Sequence, residues 1–317
     1  MTPLQFETAN GTLWSEFEGL LAKKEETQLN PERFLTLYRT TCEHLALAQA
    51  RGFPTHLIER LSILTARGHQ IVYRQSDFGL HRIGHVLLSR FPDLVRAHWR
   101  YVISAALILM VPALALGVAT YARPELVLSM VDTKTASSFA QMYGPSARAI
   151  GRTRDAGDNW QMFGFYIMNN IGIAFQCYVT GILFGLGSLL FLAYNGVFAG
   201  ALAGYITVLG FGGAFYPFIA THSAFELTAI VLCGAAGLRI GRSVLLPGRS
   251  TRVASLQLAA PETSVIVFGS AVMLVIAAAI EAFWSSAAWI EPPAKYLCAA
   301  ACWALVILFF VRRPRAG

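Results

Sequence analysis

Between Phe163 and Leu238 the chain carries no Lys, Arg or Asp, and only His222 and Glu226 break the run with charged-type side chains. About 18 consecutive apolar residues already suffice for a membrane span, so this stretch is long enough for three crossings. Composition agrees. The 317 residues are 55% hydrophobic and 14% charged, against about 25% charged in average soluble domains. The expected fold class is therefore all-α: a polytopic membrane helical bundle of about six spans, with five as the alternative, behind an N-terminal cytoplasmic helical domain.

Polar residues concentrate before the first span. Residues 1–99 hold six of the seven histidines and read as a small antiparallel bundle. Trp14, Phe17, Leu20 and Leu21 recur at helical spacing. Asn30 suits an N-cap, Pro31 a first helical position, and Leu29 a staple onto Phe34. A further helix follows Pro54. Residues 81–100 differ, pairing an apolar face with His81, Arg82, Arg90, Arg96, His98 and Arg100. They read either as an amphipathic helix at the headgroups, with Arg90, Arg96, Trp99 and Arg100 at the interface, or as a last bundle helix. Phe91-Pro92 is expected to interrupt it.

The expected spans lie near 101–121, 164–192, 196–211, 218–238, 264–284 and 294–311, with an outer loop at 122–160 and a basic tail at 312–317. The segment 196–211 is short for a hydrocarbon core, so five spans are possible if it does not cross. Arg96, Arg100, the loop 239–252 and the tail fall on one side of a six-span chain, so the positive-inside rule puts both termini in the cytoplasm. No leader is expected before the first apolar run. The net charge of +7 comes mostly from arginines flanking spans and implies no nucleic-acid partner.

Gly196-x3-Gly200-x3-Gly204 places three glycines on one helix face, and Gly181-x3-Gly185 and Gly237-x3-Gly241 repeat the device. In lipid, such faces let backbones approach closely. Packing within the chain is preferred to dimerisation, with a homodimer left open. His222 and Glu226 share a helix face one turn apart. An ionisable group inside a span costs on the order of 3 kcal/mol on insertion scales and defaults to a functional hypothesis. The pair reads as a buried hydrogen-bonded couple, a proton or ion path, or a metal site. The last is disfavoured because two ligands are too few, and no metal or cofactor is expected. Asn195-Gly196 reads preferentially as a turn; Asn169-Asn170 reads equally as turn or helix break. Together His222, Glu226, Asn169, Asn170 and Asn195 form the candidate intramembrane site. The scattered histidines read as bundle residues, and Glu281 and Glu291 as solvated charges at span ends. No catalytic motif is present, so no enzyme is expected.

Phe91-Pro92 with Arg96, Asn169-Asn170, Gly181, Asn195-Gly196 with Gly200, and His222-x3-Glu226-Leu227 leading into Gly237 and Gly241 resemble the stage II sporulation protein M family of bacterial membrane proteins. The family's usual Pro-His-Gly is Thr221-His222-Ser223 here. The resemblance implies a non-enzymatic scaffold that organises other membrane or cytoplasmic proteins, including an AAA-type ATPase system, among membrane lipids. The alternative is a channel, transporter or lipid-moving protein using the His/Glu/Asn site.

Overall fold

The computed structural model describes residues 2–22, 31–72, 80–144 and 156–312. The described residues are helical and turn, with no strand. The chain divides into two compact units, Met1–Ile83 and Gly84–Gly317.

Among the described residues, the first unit is built on α1 (Pro3–Ala22), α2 (Pro31–Ala50) and α3 (Thr55–Val72). Their apolar stripes meet in a core of Trp14, Phe17, Leu37, Leu57 and Leu61. Pro31 opens α2 as expected, while the expected Asn30 cap and Leu29 staple lie outside the described residues. Gly52, at φ +60°, ends α2, and the Phe53 N–H returns to the Ala48 carbonyl.

The boundary between units falls before Gly84, not after residue 99. The segment expected to lie between bundle and membrane instead packs with the second unit. Leu80–His85 (α4) passes through a π-type turn, Val86–Arg90, directly into Phe91–Ala97 (α5). Pro92 does not interrupt this run, because proline is tolerated in the first turn of a helix. Phe91 is buried against the bare backbone of Gly269 and the rings of Phe309 and Phe310.

The rest of the second unit contains α6 (Trp99–Ala122), α7 (Thr133–Tyr143), α8 (Ala156–Val179), α9 (Leu186–Val208), α10 (Gly212–Leu245), α11 (Arg252–Ala279) and α12 (Pro292–Val311). A π-type turn, Ile280–Ser285, extends α11. Among the described residues, five helices are long and apolar enough to cross a membrane: α6, α9, α10, α11 with its extension, and α12. α10 is the hub, with 72% of its most apolar window buried, against 11% for α6 and 17% for α12.

α8 is as long as α6, but Asn169, Asn170 and Gln176 dilute its hydropathy. It nonetheless runs the length of the bundle beside α11. It starts with Trp160 against Phe283, ring centroids 5.0 Å apart, and ends with Tyr178 Oη 3.2 Å from Thr263 Oγ1. It thus lies antiparallel to residues 263–283 of α11, about 30 Å at 1.5 Å per residue. The glycine contacts pair residues 196, 200 and 204 of α9 with 109, 113 and 117 of α6 in the same order. These two helices are parallel, so the chain between them returns across the bundle, and α8 is that return.

The expected division at Asn195-Gly196 is wrong. The break lies at Thr180–Gly185, where Phe184 and Gly185 take φ of +55° and +85°, and α9 runs uninterrupted through Asn195. Gly196 is there for want of a Cβ, not for a turn: a methyl group would strike the Leu109 carbonyl oxygen. The short span expected at 196–211 is thereby restored to full length. Gly210, at φ +80°, makes the next turn. α10 begins at Gly212 and takes Pro217 inside it; α11 begins at Arg252, well before residue 264. Arg239 and Arg242, expected in a loop, are helical. Gly157, expected in the loop 122–160, lies in the first turn of α8, and residues 145–155 of that loop are outside the described residues.

Candidate functional site

One end of the helical unit is basic. Arg96 donates to the carbonyl oxygens of Phe310 and Arg312, each at 3.0 Å, and so caps the last turn of α12. His98 Nε2 lies 3.1 Å from Glu262 Oε2, which Arg239 approaches at 3.9 Å. Arg96 is therefore a structural clamp rather than a headgroup contact, whereas Arg90, Trp99 and Arg100 are exposed. Above this end the glycines close the bundle. Cβ atoms at Gly196, Gly200 and Gly204 would clash with carbonyl oxygens of Leu109, Ala113 and Gly117 on α6. Gly181 meets Gly237, and Gly185, in the turn rather than on a helix, meets Gly241. All seven glycines singled out in the sequence thus make close backbone contacts within the chain.

The opposite end opens into a chamber of about 920 Å³. Phe139, Phe165, Phe198, Phe211 and Phe218 are among its apolar walls, while Asn169, Glu281, Ser285 and Lys295 supply polar groups. Against this wall lies the pair expected from the sequence. His222 is 5% exposed, and its Nε2 sits 3.8 Å from Glu226 Oε2. Its Nδ1 faces Ser285 Oγ at 3.1 Å, and Phe218 crosses its ring edge-on.

Glu281 completes the arrangement. It is 9% exposed, not solvated at a span end as expected. α10 and α11 run antiparallel, so 222 and 226 on one helix face 285 and 281 on the other. Ligand atoms of His222, Glu226 and Glu281 lie within 4.8 Å of one another. Lys295, 8% exposed, donates to the Ser285 carbonyl at 2.7 Å, and Thr221 donates to the Lys295 carbonyl at 3.2 Å. The π-type turn matters here, because single-turn π segments re-aim side chains and recur at functional sites.

The asparagines separate. Asn169 lines the chamber and donates to Asn170 Oδ1 at 2.9 Å. Asn170 is buried, and its Nδ2 has no hydrogen-bond partner among the described residues. Asn195 does not join the site: its amide returns to the Phe191 carbonyl of its own helix at 2.7 Å. Sequence reasoning missed Glu281, Ser285 and Lys295. The available signal was Glu281-x3-Ser285, a second one-turn polar pair on the helix following His222-x3-Glu226.

Residues 104–286 match the family model described as Stage II sporulation protein M, and residues 4–74 match one described as Domain of unknown function (DUF8413). No curated protein and no solved structure matches the chain.

Proposed function

Because the chain belongs to the stage II sporulation protein M family, we propose that it is a non-enzymatic scaffold of the bacterial inner membrane, with both termini in the cytoplasm, that holds partner proteins together. The observation that carries this reading is the glycine-locked frame. Backbone against backbone on α6–α9 and α8–α10 leaves no side chain to repack, and close-packed interfaces do not deform continuously. Such a frame suits fixed presentation better than alternating access. The separate helical unit supplies a docking module for cytoplasmic partners, for which an AAA-type ATPase system is one candidate. The basic end faces the cytoplasm by the positive-inside rule, with six spans rather than five.

The test is in-membrane cross-linking followed by extraction. The full chain should be recovered in a reproducible complex with other proteins, and removal of residues 1–83 should release the cytoplasmic ones while the spans remain inserted. Recovery of the full chain alone, under conditions that keep other membrane complexes intact, contradicts the reading.

The chamber favours a second reading, in which the protein binds or moves a small amphiphile. Apolar walls with a few convergent polar groups are the usual form of a ligand site. Flux of ions or labelled lipids in proteoliposomes checks it. Transport through this site should fall in Glu226→Gln and His222→Ala, and unchanged flux in both removes the site from the path.

A further inference from the structure

Two carboxylates and an imidazole nitrogen converge inside the helical unit. Glu226 and Glu281 face each other from antiparallel helices, and His222 Nε2 lies beside them. The Ser285 hydroxyl lies 3.1 Å from His222 Nδ1; in the Nδ1–H tautomer it accepts that proton and the Nε2 lone pair points at the carboxylates. Three acceptors in one low-dielectric pocket repel unless a cation or proton sits among them.

We infer that His222, Glu226 and Glu281 bind one divalent transition-metal ion of the zinc type. Imidazole with carboxylate suits zinc and its neighbours, whereas calcium and magnesium prefer all-oxygen sets. Three protein ligands leave a fourth position open, as catalytic and exchangeable zinc sites do, and Glu281 connects it to the chamber. Bond lengths of about 2.0–2.2 Å require ligand atoms closer together than 4.8 Å, so the three side chains draw inward on binding. Ser285 is a positioning residue: a ligating histidine almost always passes its other N–H to such an acceptor, which fixes the tautomer. This site was discounted in the sequence for want of a third ligand, and α11 supplies it. The inference goes beyond the scaffold reading and does not depend on it.

The experiment uses the full chain in detergent with any purification tag removed. The protein is stripped with chelator, reloaded with zinc sulfate, desalted and assayed for metal. Wild type should retain about one zinc per chain. Glu281→Gln and His222→Ala should lose it, and Ser285→Ala should weaken it about tenfold or more. Should a variant fail to fold, cobalt loading of wild type decides alone: d–d absorption bands that zinc displaces support the site, and their absence overturns it. Equal zinc in wild type and His222→Ala marks surface histidines and overturns it. So does a wild type that holds no zinc while Glu226→Gln gains thermal stability, since the carboxylates then share a proton.

Discussion

His44 shows what one buried polar contact does in the first unit. An indole N–H only donates, so the 3.1 Å bond from Trp14 Nε1 requires His44 Nδ1 to accept. Burial lowers the imidazole pKa below its ordinary value, against the opposing Glu43 carboxylate. The unfolded chain therefore binds this proton at higher pH than the folded one. Stability conferred by the neutral ring is complete above about 6.5 and is lost as pH falls through the lowered folded value. The protection of residues 3–22 and 31–72 against hydrogen exchange in the intact protein, corrected for the pH dependence of the intrinsic exchange rate, should fall between about pH 7.5 and 5.5. His44→Asn, whose amide oxygen can replace Nδ1, should flatten that dependence; an unchanged slope removes His44 as its cause. His222 and Glu226 were legible because charged-type side chains stand out in an apolar run. Glu281 was not, because a carboxylate near a span end has a bland reading that only the partner helix overturns.

At the scale of helices, glycine has two uses that one sequence cannot separate. Gly196, Gly200 and Gly204 serve close approach, whereas Gly185 and Gly210 serve positive φ. Asn195-Gly196 carries the local signature of a turn, yet the helix continues because α6 occupies the space a Cβ would need. The true turn at Thr180–Gly185 has Phe184 at positive φ, a position that no propensity favours. The α6 and α12 spans, without competing glycine signals, were legible almost to the residue. Two substitutions separate these uses. Gly200→Val drives a side chain into the Ala113 carbonyl and should destabilise the protein by about 2 kcal/mol or more. Gly172→Ala, in α8 with nothing near its Cβ position, should be neutral or stabilising by up to about 1 kcal/mol. Thermal unfolding in one detergent compares them, and equal effects would contradict the lock.

Across the whole molecule, the parallel run of α6 and α9 and the return through α8 make a six-helix frame. Its basic end is tied by Arg96 and Glu262, and its other end holds the chamber. The six apolar segments expected from hydropathy correspond to α6 and α8–α12, of which five are long and apolar enough to cross a membrane among the described residues, and the bounds shift most at α8, α9 and α11. The central claim is that this frame is static. Its most direct measurement is the spin–spin distance between labels at Leu114 on α6 and Leu297 on α12, both exposed, with Cys42, Cys298 and Cys302 replaced. In liposomes from pH 5.5 to 8, with and without zinc, a single distance distribution that does not move is predicted. Two populations whose ratio shifts with conditions would contradict a fixed frame and favour a moving carrier.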